Sequence, residues 1–400
     1  MTSIDIEAGL SDEDIAIRDA AHRFADDVLR PAGIELDRMV DPADVIAPES
    51  VLWEVFAKYH ALGLSSLAGD AEREPVAKAR LMAVVNEELS RGDVGLAISC
   101  GLCGFHGPWV QQTGDSELIE RFCSADEPTI GCWALTEPDH GSDTVALTEP
   151  HFRDPSLRAN CRARKDGDDY VISGQKAAWV SNGSIAHIAV LFCALDESRG
   201  FQGGGVFLVP LDLPGVSRPA PLDKLGQRSL NQGEIFFDSV RVPARYMALG
   251  PDLYAIGLEM MLCHANAAMG QLFVGVARAA YELALAYAKE RVQGGVAIFE
   301  HQSVRARLFK MFARVEAARA LARRVAVYNA GGAPQIQHCI ASKTFCTDTA
   351  FEVATEALQI FGANGLCREY PIEKLLRDAR ASLIEDGCNE VLSIVGGARL

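Results

Sequence analysis

The chain has 400 residues and a formal net charge of −16, from 38 basic and 54 acidic side chains. Hydrophobic residues make up 49% and charged residues 23%, which is typical of a folded globular protein and excludes wholesale disorder. The acidic balance argues against nucleic acid or an anionic membrane as the main partner. The length allows two or three domains, or one large compact unit, with an ample core.

The first residues and the cysteines indicate where the protein works. The sequence MTSIDIEAGLSDEDIAIRDAAHRF has no basic or apolar signal region, and no stretch reaches the roughly 18 uncharged apolar residues of a membrane span. Eleven cysteines, an odd number, are more typical of reduced thiols in a cytoplasmic protein than of a disulfide framework. Cys100 and Cys103 have a metal-ligand spacing, with His106 nearby, but no second ligand pair follows. We therefore expect packed structural thiols and no metal.

Residues 1–128 predict a helical domain. Ser11 precedes three acidic residues and is typical of a helix N-cap. Apolar residues then recur at a helical spacing, at Ile17, Ala20, Phe24 and Val28. Further helices are predicted at 51–62, 76–91 and 115–123.

Residues 129–243 have a different sequence pattern, typical of strands and turns. Short β-rich runs alternate with turn-forming residues, and their spacing predicts a small antiparallel barrel or sandwich. The runs cover 170–172, 187–195, 205–209, 234–237 and 240–242.

Residues 244–400 return to helical patterns. A long alanine-rich run covers 270–291, and another helix is predicted at 339–361, ended by the glycines at 362 and 365. An apolar stripe runs through Met311, Val315, Ala318, Ala322 and Val325. Several long helices predict a four-helix bundle. The order of helices, strands and helices therefore predicts a mainly helical α+β fold.

Five motifs carry the chemical information. The sequence has neither a Gly-x-Gly-x-x-Gly loop after a strand nor a Walker loop, so a Rossmann or P-loop nucleotide site is unsupported. The informative stretches are WALTEPDHGSD at 133–143, GQKAAWVSNG at 174–183, ALQIFGANG at 357–365, EYPIEKLLRDA at 369–379 and IEDGCN at 384–389. Together, and in this order, they strongly resemble the acyl-CoA dehydrogenase family along essentially the whole chain.

This resemblance implies a flavoprotein that holds FAD between the β-domain and the carboxyl-terminal bundle. A neighbouring subunit completes the adenosine end of the cofactor, which implies a homotetramer. The implied substrate is an acyl thioester, of CoA or an acyl carrier, that is oxidised to the α,β-enoyl form. An electron-transfer flavoprotein would then take the electrons.

The flavin-contacting residues are inferred by the same resemblance. Thr136 and Ser142 bracket a Glu-Pro-x-x-Gly turn, and their hydroxyl and backbone groups suit the pyrimidine edge of a flavin. An ordinary capped β-turn is the alternative. Trp179 resembles the indole that packs beside the flavin, with Ser181 near N5, and a buried core tryptophan is the alternative.

Arg291 resembles an arginine that reaches the FAD pyrophosphate across the subunit interface. The alternative is a helix-terminal arginine that interacts with the helix dipole. The sequence departs from the family pattern nearby, because the usual Phe-Gly is replaced at 292–295 and a family glycine is Ala363. The complete set of implied cofactor residues is Trp133, Leu135, Thr136, Gly141, Ser142, Trp179, Ser181, Arg291, Gln302, Gln359, Gly362, Ala363, Cys388 and Glu390.

The catalytic base is the most important departure. The family uses a glutamate in a Glu-Gly-Thr turn, and Asp386 occupies that position here. Aspartate is one methylene shorter, by about 1.5 Å. Glu385 is an alternative base, and a solvated Asp-Gly turn with no base is a third possibility. Some family branches carry the base on the first bundle helix, near Ala265, which cannot serve, and the arginine that normally follows is Asn266.

Two other functions stay open at this point. The same scaffold performs different flavin chemistry in nitroalkane oxidases, which use an aspartate base, and in cyclic acyl-CoA dehydrogenases and desulfinases. The chain is alternatively a non-catalytic partner subunit of a hetero-oligomer.

Overall fold

The amino-terminal region is helical, as predicted. The computed structural model describes residues 9–65, 67, 72–123 and 129–400. The first eight residues and the predicted domain boundary at 128 lie outside this part of the chain. The helices are α1 Asp12–Phe24, α2 Arg30–Arg38, α3 Val51–Ala61, α4 Pro75–Gly92, α5 Val94–Gly101, α6 Gly107–Thr113 and α7 Ser116–Phe122.

The predicted N-cap of α1 is confirmed. The Ser11 hydroxyl accepts a hydrogen bond from the Asp14 backbone N–H (3.1 Å), and the Asp14 carboxylate accepts one from the Ser11 N–H (3.0 Å). This reciprocal pair satisfies two backbone donors that a helix start leaves without partners. A π-helical turn at Ala25–Leu29 joins α1 to α2.

The middle region forms a sheet whose described strands pair in the order β6-β7-β3-β2-β4-β5-β8, with β1 paired to β4. The strands are β1 Gly131–Ala134, β2 Arg162–Asp166, β3 Asp169–Ser181, β4 Ile188–Ala194, β5 Gly204–Pro210, β6 Val216–Ser217, β7 Gln232–Pro243 and β8 Met247–Leu249. The two runs predicted at 234–237 and 240–242 are one strand, β7. The sheet also takes β8 from beyond residue 243, where the β region was predicted to end.

The expectation of a purely antiparallel sheet is wrong. β1 runs parallel to β4, and β2 pairs in parallel with β4 through Arg162 and Ala194. The long connections between these strands allow both to run in the same direction, whereas adjacent hairpin strands must be antiparallel. β4 and β5 are buried along their whole length, because other elements cover both of their faces.

The carboxyl-terminal region is the predicted bundle of long helices, α8 Pro251–Glu290, α9 Gln302–Gly331, α10 Ile336–Phe361, α11 Ile372–Ser382 and α12 Asn389–Gly397. The helix predicted at 270–291 already begins at Pro251, so α8 has 40 residues. α8 is long and apolar enough to cross a membrane by length and composition alone. However, 78% of its most apolar window is buried inside the fold, which is typical of a core helix.

Buried ion pairs attach the amino-terminal helices to the bundle. The α9 stripe at Met311, Val315, Ala318, Ala322 and Val325 is buried, as its spacing predicts. Arg319 of α9 is also buried and donates to Glu87 of α4 at 2.9 Å. Arg323 (2.8 Å) and Arg278 of α8 (3.2 Å) contact the same carboxylate. These cations lower the pKa of Glu87 to about 2 in spite of its burial.

Candidate active site

The turn that carries the predicted base connects α11 to α12. Asp386 has a φ of +53° and Gly387 a φ of +91°, so two consecutive residues adopt left-handed backbone conformations. Aspartate tolerates this region better than most residues. At Gly387 a Cβ atom would also approach the Leu392 side chain to 2.9 Å, so both the backbone and the space require glycine.

Two residues, one from the bundle and one from the β-domain, fix this turn. Lys343 of α10 is fully buried, and its Nζ donates to the Gly387 carbonyl (3.0 Å) and to the Asn389 Oδ1 (2.7 Å). From the β-domain, the Ser142 hydroxyl accepts a hydrogen bond from the Cys388 N–H (3.0 Å). The structure therefore brings together Ser142 and Cys388, two residues that were predicted to share the site.

The turn presents two neighbouring carboxyl groups in different surroundings. Glu385 Oε1 accepts a hydrogen bond from Gln227 Nε2 at 2.7 Å. Burial and the charge of Asp386 raise the pKa of Glu385 to about 7, against the smaller effects of Gln227 and nearby lysines. Burial also raises the pKa of Asp386, and Lys343 opposes this. Within the described residues the Asp386 carboxylate accepts no hydrogen bond, so Glu385 is held in place while Asp386 is available to a ligand.

The position on α8 that carries the base in other branches is unsuitable here. Asn266 is fully buried and donates its amide to the Leu262 carbonyl of its own helix (2.9 Å). Its Oδ1 is buried and has no partner among the described residues. The base position itself is Ala265, whose methyl side chain cannot take a proton, and Asn266 stands where those branches carry the following arginine.

A buried ion pair makes the Thr136–Ser142 turn rigid. Glu137 is 3% exposed and accepts from Lys176 Nζ (2.6 Å) and from the Cys161 N–H (3.0 Å). The Thr136 carbonyl accepts from the Ala177 N–H at 3.0 Å, which fixes the turn beside β3. Within the described residues the Thr136 hydroxyl makes no hydrogen bond. The turn is therefore anchored in the core, and its Thr136 hydroxyl is without a partner in the part of the chain that the structure describes.

A bulge in β3 directs Trp179 outward. The pairing of β3 with β7 shifts register between Lys176 and Val180, and the intervening Ala177 bonds to Thr136 instead. A bulge of this kind re-aims side chains. Trp179 is 58% exposed, so the alternative of a buried core tryptophan is wrong. Ser181 ends the strand, and its hydroxyl accepts from Gln232 Nε2 at 3.0 Å.

Trp133 and Leu135 lie on and just after β1, and both are half-buried. The Trp133 ring packs edge-on against Phe192 with centroids 6.2 Å apart. Its indole N–H is buried and has no partner among the described residues. Gly141 is exposed, and its N–H donates to the Asp143 carboxylate (2.7 Å).

The remaining predicted cofactor residues lie at helix ends and face solvent in the single chain. Arg291 follows α8, and Gln302 begins α9. Gln359 lies in the last turn of α10, and Gly362 and Ala363 follow that helix. All five are exposed, as is Glu390 in the first turn of α12. No described hydrogen bond connects any of them to the Thr136 turn or to Asp386. A single chain thus assembles only part of the predicted site.

The departure at 292–295 forms a small hairpin at the same end of the bundle. Strands β9 Val292–Gln293 and β10 Val296–Ala297 pair in antiparallel fashion around Gly294 and Gly295, which both have positive φ. Val292 is 61% exposed and Val296 43% exposed. The hairpin therefore presents apolar side chains beside Arg291.

Sequence reasoning missed the polar residues that support the site. Lys343 shares a helix face with Cys339, Cys346 and Ala350, all buried, so a lysine within an apolar stripe was a readable signal. Gln227 and Gln232 gave no such signal, because they come from an irregular segment and a strand end.

The cysteines are free thiols, as predicted. All eleven cysteines are free, with Cys100 buried and Cys103 half-buried. In the part of the chain that the structure describes, no group of three or more His, Cys, Asp or Glu side chains is arranged to hold a metal. The absence of bound metal stays a prediction.

The comparisons with known proteins agree with this architecture. Models of the acyl-CoA dehydrogenase middle domain and C-terminal domain match residues 132–240 and 259–400. The short-chain specific acyl-CoA dehydrogenase of Megasphaera elsdenii is 32% identical over 322 residues, covering 78% of this chain and 80% of that protein. Cyclohex-1-ene-1-carbonyl-CoA dehydrogenase of Geobacter metallireducens is 30% identical over 298 residues, covering 72% of this chain and 73% of that protein.

The structure of butyryl-CoA dehydrogenase from Megasphaera elsdenii superposes with a TM-score of 0.83 at 28% identity, covering 98% of this chain and 99% of that chain. The chain belongs to the acyl-CoA dehydrogenase family and is an FAD-dependent oxidoreductase.

Proposed function

We propose that this chain removes two hydrogens across the α,β carbon–carbon bond of an acyl-CoA or acyl-carrier thioester, with Asp386 as the base. The observation that carries the proposal is the state of the Asp386 carboxylate. It is half-buried and has no hydrogen-bond partner among the described residues, in a turn held by Lys343 and Ser142. Burial raises its pKa, which suits a carboxylate that must take a proton from carbon.

Several residues fit the flavin. The exposed Trp179 offers an indole face, while Thr136 and Ser181 offer hydroxyl protons that no described residue accepts. The indole N–H of Trp133 is a further buried donor that has no partner among the described residues. When bound, FAD supplies the acceptor for the β-hydrogen, which leaves with its electron pair. The α-proton passes to the Asp386 carboxylate, and the backbone N–H of residue 386 stabilises the charge on the thioester oxygen.

A second copy of the chain completes the cofactor site in this proposal. Arg291, Gln302, Gln359, Gly362 and Ala363 are exposed at one set of helix ends, beside the apolar β9–β10 hairpin. Arg291 has no ion-pair partner among the described residues, and the exposed valines beside it are typical of a surface that another subunit covers. The proposed assembly is a homotetramer, and the proposed electron acceptor is an electron-transfer flavoprotein.

A cyclic acyl thioester is the second candidate substrate. Asp386 reaches about 1.5 Å less far than a glutamate, which requires a different approach of the α-carbon. The similarity to cyclohex-1-ene-1-carbonyl-CoA dehydrogenase supports this alternative. The interpretation as a non-catalytic partner subunit is set aside, because the relatives are dehydrogenases and the Asp386 carboxylate has no hydrogen-bond partner among the described residues.

The test is anaerobic bleaching of the flavin absorbance by a panel of compounds. We expect butyryl-CoA or cyclohex-1-ene-1-carbonyl-CoA to reduce the flavin, and the faster of the two identifies the substrate class. Bleaching by nitroethane and by neither thioester would replace the proposal with nitroalkane oxidation. A protein that stays colourless after FAD is added would contradict the cofactor assignment.

A further inference from the structure

A chain of polar side chains lies behind Ser181 and ends at a lysine. Lys224 Nζ donates to Gln232 Oε1 and to the Leu230 carbonyl, both at 2.7 Å. Gln232 Nε2 in turn donates to the Ser181 hydroxyl oxygen at 3.0 Å. Gln232 is 6% exposed and Lys224 is half-buried, so water competes little for these bonds.

The chemistry of the lysine sets the direction of the whole chain. Burial lowers the pKa of Lys224 to about 7. In its charged form the ammonium group has three donors and no acceptor, so the oxygen of the Gln232 amide then faces Lys224. The amide nitrogen therefore faces Ser181, and since it is a donor, the Ser181 oxygen must act as an acceptor. The single Ser181 hydroxyl proton then points away from Gln232. Within the described residues nothing accepts this proton.

We propose that Lys224 and Gln232 are positioning residues that keep the Ser181 hydroxyl donating to N5 of oxidised FAD. This inference rests on the proposed function and on the family resemblance, which implies that Ser181 lies near N5. An isolated serine hydroxyl rotates among three staggered positions and can turn its proton to any neighbour. N5 of an oxidised flavin carries a lone pair and no hydrogen, so only the donating orientation gives a bond. The chain selects that orientation before the cofactor binds, as preorganised dipoles do in active sites.

The same segment also reaches the catalytic turn. Gln227 Nε2 donates to Glu385 Oε1 at 2.7 Å, and the Gln227 N–H donates to Asp378 at 2.5 Å. Residues 224–232 thus hold one side chain that contacts Ser181 and one that contacts Glu385, the neighbour of the proposed base. These two contacts fix the position of residues 224–232 between Ser181 and the catalytic turn.

The test uses the complete protein reconstituted with FAD that carries ¹⁵N at N5, and reads the N5 resonance by NMR. A nitrogen of this type resonates upfield when it accepts a hydrogen bond. Ser181→Ala should therefore move the resonance downfield. Gln232→Glu keeps the shape but offers only acceptors, so it should draw the Ser181 proton away from N5 and give more than half of that shift. Lys224→Met, which releases the amide to turn over, should shift the resonance in the same direction.

Double variants and a matched control separate this effect from a general change in charge or packing. In the Ser181→Ala background, Gln232→Glu and Lys224→Met should add almost nothing, because the hydroxyl that they orient is absent. Gln175→Leu removes another glutamine of the same strand pair, which bonds to Glu234 at 2.8 Å, and should leave the resonance in place.

The outcomes distinguish the inference from the proposal beneath it. If Ser181→Ala shifts the resonance while Gln232→Glu and Lys224→Met do not, the positioning role is wrong and the placement of Ser181 stands. Equal shifts in the presence and absence of Ser181 would also overturn the positioning role. If Ser181→Ala itself leaves the resonance unchanged, Ser181 does not contact N5. The positioning role and the placement of Ser181 near N5 are then both wrong.

Discussion

Removing the charge of Glu87 should cost about 3 kcal/mol of stability. Glu87 is 2% exposed and contacts Arg278, Arg319 and Arg323 at 3.2, 2.9 and 2.8 Å. The difference between its ordinary pKa of 4.5 and a pKa of about 2 corresponds to roughly 3 kcal/mol, at about 1.4 kcal/mol per tenfold change. Breaking a buried ion pair typically costs about 3–5 kcal/mol, which agrees with this figure.

The assay for Glu87→Gln is urea unfolding of the holoprotein at fixed protein and FAD concentrations. A pKa that is lowered in the folded state stabilises the protein above the ordinary pKa and loses this effect as pH falls. The parent should therefore lose stability between about pH 4.5 and pH 2, and Glu87→Gln should lose less in that window. Glu282→Gln is the matched control, since Glu282 also binds Arg278 but is 42% exposed and should cost under about 1 kcal/mol. Equal losses in the two variants would refute the reasoning.

Three further predictions concern the site. Lys343→Met removes the donor to the Gly387 carbonyl. Because a 1 Å misplacement of a catalytic group costs about a hundredfold in rate, flavin reduction should slow at least tenfold with FAD retained. An unchanged rate would show that Lys343 does not hold the catalytic turn in place. Glu385→Gln should remove an inflection near pH 7 from the pH profile of flavin reduction, since the ionised Glu385 disfavours ionisation of Asp386. If the inflection persists in this variant, another group causes it. Arg291→Ala should lose FAD on gel filtration while Lys289→Ala, on the same helix end, retains it; equal retention would favour the helix-dipole alternative.

The order of helices and strands could be predicted from the sequence, because helices and strands space their apolar residues differently. It also placed Ser142 and Cys388 in one site, although only through a resemblance, since 246 residues separate them. The parallel pairing of β1 with β4 was out of reach, because strand direction depends on long connections. The apolar stripe around Lys343 indicated a buried lysine but not its partners, while Gln227 and Gln232 gave no signal, because they lie in an irregular segment and at a strand end.

The central claim is that Asp386 takes the α-proton of the thioester, and one measurement tests it most directly. Stopped-flow reduction of the flavin by the best thioester is compared between the parent and Asp386→Asn. Loss of a general base typically costs about 10²–10⁴-fold. We expect a decrease of that size with FAD and ligand binding intact, while Asp386→Glu shows whether the site is built for the shorter or the longer side chain. An Asp386→Asn variant that reduces its flavin as fast as the parent would show that the base lies elsewhere.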